Sequence, residues 1–173
     1  MTRFCSLILS LFIFVLSCLG QSDNYFSSEN TLKYANYLFN NFDYELSMNE
    51  YSQLLSEDNA VLKKYLISAN KSKNYSTGIS SYKSLSYNEY NQEVFDEYLK
   101  LLYLNRNFDT LRKELLNCNS QTCMKLKLSL NILDGSLIQS AELEDFPKLK
   151  STLLYRNTYK KKSPIIAGIA SSF

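Results

Sequence analysis

Three stretches of this chain say nearly the same thing. NFDYELSMNEYSQLL at 41–55 is echoed by KNYSTGISSYKSL at 73–85 and by RNFDTLRKELL at 106–116. Aligned on Tyr44, Tyr75 and Phe108, the copies stand 31 and then 33 residues apart. Ten residues before each aromatic is another, Tyr34, Tyr65 and Tyr98, and four after those come Leu38, Ala69 and Leu102. Seven after the central aromatic come Tyr51, Tyr82 and Leu115, and three further on Leu54, Leu85 and Cys118. A period of this length marks a unit that cannot bury its apolar stripe alone and must stack on its neighbours.

The spacings within a copy are helical. Tyr34 with Leu38 and Tyr65 with Ala69 are i, i+4 pairs, and Tyr44, Met48, Tyr51 and Leu55 follow steps of three and four, which places each set on one helix face. Polar turns separate the two helices of each copy: NNFD, KSKN and LNRN. Asp43, Asn74 and Asn107 are expected to cap the second helices by accepting a backbone N–H. Gly and Pro number four and two in 173 residues, which favours helices over a sheet with many tight turns. The expected fold is all-α, a solenoid of three to four antiparallel helix hairpins. The hairpins occupy 29–118, a degenerate fourth hairpin or capping pair 119–159, and a basic-apolar tail 160–173. In the fourth unit Met124, Leu128 and Ile132 form a stripe ended by Gly135, and a last helix starting near Pro147 presents Leu149, Leu153 and Leu154.

ANYLFNNFDYELSMNEYSQLLSEDN, residues 35–59, resembles the tetratricopeptide repeat (TPR) family. Ala35, Tyr44, Ser47 and Tyr51 fill that family's small and aromatic positions, and Tyr75, Gly78 and Tyr82 do so in the second unit. The third departs from the pattern at Leu99, Leu111 and Leu115, and no unit carries the family's helix-ending proline. The resemblance implies a concave groove lined by the first helix of each hairpin. Mapped through the repeat, Asn36, Asn40, Lys63, Asn70, Lys71, Asp96, Lys100 and Tyr103 would face it. The partner implied is a protein or peptide, since an Asn side chain offers a donor and an acceptor to an extended backbone.

Residues 1–20, MTRFCSLILSLFIFVLSCLG, have a basic start and an apolar run too short to span a bilayer comfortably. A signal peptide is expected there, with a short linker over 21–28. VLSC also resembles a loose bacterial lipobox, which would make Cys18 a lipidation site; an uncleaved anchor is the third alternative. Export implies an oxidising compartment at the periplasm or envelope membrane. Cys118 and Cys123 are then either incidental thiols or a local disulfide. Two cysteines and no histidine fall short of the four nitrogen or sulfur ligands zinc normally takes, so no metal site is expected.

All acidic residues precede Pro147, and the chain from there on carries only basic charges, among them Lys148, Lys150, Lys160, Lys161 and Lys162. The formal net charge of +2 therefore hides an acidic repeat region, which would repel nucleic acid. Lys160, Lys161 and Lys162 are expected to lie close to a membrane. They lead into Pro164–Phe173, where Ser163, Pro164, Ala167, Gly168 and Ser171 resemble the start of a small-residue-rich membrane segment of bacterial envelope proteins. The absence of His removes the His-dependent triads and bases, and no phosphate-binding Gly pattern is present. Glu89, Glu93 and Glu97 read as a solvated helix face. The functional expectation is a non-enzymatic exported scaffold for protein–protein interaction, without cofactor or small-molecule substrate. The alternatives are a membrane-assembly subunit anchored by its tail and a truncated fragment of a larger TPR membrane protein.

Overall fold

A computed structural model describes residues 27–56, 58–85, 91–135 and 143–159, with side chains to Leu154. The signal segment with Cys18, and the tail with Lys160, Lys161 and Lys162, lie outside the described residues. Among the described residues the fold is all-α, with eight helices and no strand. They are α1 (Ser28–Asn40), α2 (Tyr44–Ser52), α3 (Asn59–Lys71), α4 (Tyr75–Ser84), α5 (Gln92–Leu104), α6 (Phe108–Leu115), α7 (Gln121–Asp134) and α8 (Pro147–Tyr159). None of them is long and apolar enough to cross a membrane.

Each odd-numbered helix from α1 to α7 starts on a side-chain cap. Ser27 accepts from the Asn30 N–H at 3.3 Å, Asp58 from Ala60 at 3.1 Å, Asn91 from Glu93 at 2.9 Å and Ser120 from Cys123 at 3.1 Å. The caps expected on the second helices are weaker. Asp43 accepts from Leu46 at a long 3.5 Å, while the Asn74 amide donates instead to Ser72 Oγ and Asn107 makes no side-chain cap. Those helices are held by their backbone turns, which recur from copy to copy. The N–H of Asp43 bonds to the Leu38 carbonyl, Asn74 to Ala69 and Asn107 to Leu102, each five residues back. In each turn the residue before, Phe42, Lys73 or Arg106, takes a left-handed φ of 65°, 63° or 58°. The six-to-one bond with a left-handed residue is the pattern that closes helix C-termini. Gly135, at φ 78°, ends α7 in the same region.

The packing order follows the chain. α2 lies against α1 and α3, α3 against α4 and α5, α5 against α4, α6 and α7, and α6 against α7. One apolar core runs through these contacts from Ala35 to Leu149. The aligned columns enter it together: Leu38, Ala69 and Leu102 are buried, as are Tyr51, Tyr82 and Leu115. Tyr82 and Tyr98 stack with ring centroids 4.0 Å apart, joining α4 to α5. Ser47 and Ser68, both fully buried, hydrogen-bond to each other at 2.9 Å between α2 and α3.

Three core expectations fail at the edges of the molecule. Tyr34 is 50 % exposed, although its equivalents Tyr65 and Tyr98 are buried; Tyr98 stacks on Tyr82 of the preceding hairpin, whereas α1 is the first described helix. Met124 is exposed on α7, whose buried face is Cys123, Leu126, Leu130 and Ile132 with Leu128. Leu154 is exposed on α8, where Leu149 is buried and Leu153 packs at the core margin.

Candidate protein-binding face

The first helices of the hairpins keep a polar stripe beside their buried one, and cross-links join these stripes. On α1, the Asn36 carbonyl oxygen accepts from the Tyr51 hydroxyl at 2.8 Å and from the Lys64 ammonium of α3. On α3, Lys63 pairs with Glu93 of α5 at 2.6 Å. On α5, Lys100 pairs with Glu97 at 2.8 Å, and both are mostly shielded from solvent. Glu93 and Glu97 are thus ion-pair partners on this face, and Glu89 lies outside the described residues.

The expected groove residues divide into four kinds. Asn40 and Lys71 are exposed and Asn70 half-buried, so their side chains can meet a partner. Asn36, Lys63 and Lys100 are half-buried; the first two are engaged in cross-links between helices and Lys100 in its ion pair within α5. Asp96 turns toward the next hairpin, where its carboxylate accepts from Ser120 at 2.8 Å, and it also accepts from Gln92 one turn back on α5 at 2.8 Å. Tyr103 is a correction: it is 2 % exposed, packs on Phe108 with centroids 5.8 Å apart, and belongs to the core. Burial pushes its phenol pKa up. Its column holds Phe39 and Asn70 in the other units, so the repeat alone does not say whether this position faces solvent.

The face continues past the aligned hairpins into a cavity of about 390 Å³ between α5, α7 and the start of α8. Lys100, Lys125 and Lys148 line it with Gln121, Thr122 and a single carboxylate, Asp145; Phe146 and Pro147 form an apolar wall. The Lys125 pKa is lowered, first by burial and then by the charges of Lys100 and Lys148. Lys125 and Lys148 escaped the repeat alignment because the echo fades beyond Cys118. The signal that points to them is the purely basic charge after Pro147, together with the cap spacing that puts Ser120 in register with Ser27, Asp58 and Asn91. Extending that register places Lys125 in the column of Lys63 and Asp96.

The structure joins Cys118 and Cys123 by a disulfide between the end of α6 and the first turn of α7, with the Cα atoms 5.9 Å apart. It closes beside the carboxylate of Asp96. No protein-family model, curated protein or solved structure matches this chain.

Proposed function

We propose that this chain is an exported, non-enzymatic scaffold whose TPR-like hairpins stack as an α-solenoid and hold an extended segment of a partner protein. The observation that carries the reading is the run of polar stripes on α1, α3 and α5, cross-linked by Lys64–Asn36 and Lys63–Glu93 and ending at the three-lysine cavity. Exposed Asn side chains suit the backbone of an extended peptide, and the lysines suit its acidic groups. The apolar leader and the envelope location it implies belong to the same reading. The partner has an acidic residue or a free carboxylate that reaches the cavity.

The test is capture by the immobilised full chain from an envelope extract. Asn40→Ala with Asn70→Ala should reduce recovery of the bound protein several-fold while helical circular dichroism stays unchanged. Lys125→Ala should make the residual capture less sensitive to salt, because a charge pair screened beyond about 10 Å at 0.1 M salt is then gone. Equal recovery by all three proteins would remove the face from consideration.

A second reading rests on the sequence from Lys160 to Phe173, a basic triplet followed by an uncharged apolar end. In it the hairpins are a spacer and the tail makes the membrane contact, with about 1 kcal/mol for each lysine near anionic lipid. Deleting 160–173 separates the two: loss of vesicle binding with capture intact assigns the membrane contact to the tail, and unaltered vesicle binding eliminates that role.

A further inference from the structure

The cysteine pair does not stand alone. A carboxylate oxygen of Asp96 and the sulfurs of Cys118 and Cys123 all lie within 4.8 Å of one another. The sequence offers two sulfur ligands with four residues between them, a spacing found in zinc sites, and lacks the histidines that would complete one. The fold supplies the third donor from the preceding hairpin. Ser120, the cap of α7, holds these groups in register: its hydroxyl is 2.8 Å from the Asp96 carboxylate and 3.1 Å from Cys123 Sγ. The Gln92 amide donates to the same Asp96 oxygen at 2.8 Å. Asp96 is thus oriented by two hydrogen-bond donors of the kind that surround carboxylate ligands of metals. A cavity of about 520 Å³, lined by Gln92, Lys113, Glu114, Cys118 and Ser120, gives access to the Cys118 side of the bond. Cys123 is fully buried.

We propose that Asp96, Cys118 and Cys123 form a redox-gated site for a thiophilic divalent cation of the Zn²⁺ class, closed as the disulfide and opened by a dithiol reductant. In the opening step a thiolate of the reductant attacks Cys118 Sγ, the S–S bond breaks and Cys123 leaves as a thiolate. The second thiol of the reductant then displaces Cys118. The reductant ends as a disulfide, two electrons pass to the protein, and two protons end on the cysteine thiols. Cation binding releases those protons to solvent and leaves two thiolates and one carboxylate on the metal. Water completes a four-coordinate shell, the arrangement of three protein ligands plus an open position. Soft thiolates select zinc over magnesium or calcium. The proposal is independent of the peptide-binding face, since the cavity beside Cys118 shares no lining residue with the three-lysine cavity.

The experiment uses the full chain carrying Cys5→Ser and Cys18→Ser, so that the remaining thiols are Cys118 and Cys123. It is reduced, freed of reductant without oxygen, and titrated with Co²⁺ and then Zn²⁺. One Co²⁺ per chain with thiolate-to-cobalt charge-transfer absorption is expected, displaced by Zn²⁺, and none from the oxidised protein. Asp96→Asn should weaken binding by about tenfold or more, at least the effect of losing an outer-shell partner. X-ray absorption at the zinc edge of the protein with native Asp96 should read two sulfur and two oxygen neighbours, a check that needs no variant at the site. Three results would overturn the proposal: no stoichiometric uptake after reduction, uptake as tight in Asp96→Asn, or loss of helical dichroism on reduction, which would leave no fold to hold the ligands.

Discussion

Tyr51 has no exposed surface, yet its hydroxyl reaches Asn36 of α1 at 2.8 Å. Burial pushes its pKa up to about 12, because the phenolate would lose water without gaining a cation. A group whose folded pKa is raised contributes stability that is complete below its ordinary value and lost on rising through the folded one. Alkaline pH should therefore weaken the fold between about 10 and about 12. Tyr51→Phe removes the hydrogen bond and should cost about 1 kcal/mol at neutral pH by urea unfolding. The deficit should shrink above pH 10, and one constant to pH 12 would contradict the assignment. Lys125 has the opposite linkage. Its lowered pKa means that the unfolded chain holds the proton more tightly, so stability rises as pH climbs toward the ordinary lysine value of 10.5. Lys125→Met should then raise the melting temperature at pH 7, with the gain fading toward pH 10.5, while partner capture falls. A residue that stabilises the chain when removed is one that serves a surface rather than the core.

At the scale of the helix pair, the turns carry a cost that the sequence conceals. Phe42, Lys73 and Arg106 adopt left-handed backbone, where a side chain costs about 1–2 kcal/mol relative to glycine. Glycine returns part of that through its greater freedom in the unfolded chain. Lys73→Gly and Arg106→Gly, both at exposed positions, should each stabilise the protein by about 0.5–1 kcal/mol in denaturant melts. A loss of stability would mean that these side chains make contacts outweighing the backbone strain. Gly78 reverses the argument. A Cβ there would stand 2.9 Å from the Ala69 Cβ and 2.7 Å from Leu101 Cδ1, and the alanine cannot rotate away. Gly78→Ala gains about 1 kcal/mol of helix propensity and meets about 1–3 kcal/mol of overpacking, so a net loss is expected. The hairpins were legible in the sequence because Tyr51, Tyr82 and Leu115 repeat a burial requirement. The turn conformation was not, because Phe, Lys and Arg are poor markers of a left-handed residue; the flanking Asn and Asp drew attention to capping instead.

For the molecule as a whole, the repeat showed which columns are buried but not how burial varies along the chain. Tyr34 and Tyr65 share a column, yet one is half exposed and the other buried. Sequence reasoning placed Asn40 and Asn70 on an accessible face, but it could not foresee that Asp96 turns toward Ser120 or that Tyr103 closes into the core. The first depends on the following hairpin, where the repeat is degenerate, and the second on packing against Phe108 within the same hairpin. The same asymmetry governs stability. α3 and α5 are flanked on several sides and contain Leu66, Ala69, Leu99, Leu101 and Leu102, all fully buried. α1 and α8 are the first and last of the described helices. If the hairpins stack as proposed, each unit is stabilised chiefly by its immediate neighbours, and opening free energies should differ along the chain. Amide hydrogen exchange should show the slowest protons in α3 and α5 and the fastest in α1 and α8. Reducing the Cys118–Cys123 bond should loosen α7 while leaving α3 protected. Uniform protection lost in one step would instead mean that the hairpins unfold as a single cooperative unit, and the treatment of the chain as neighbour-coupled repeats would fail.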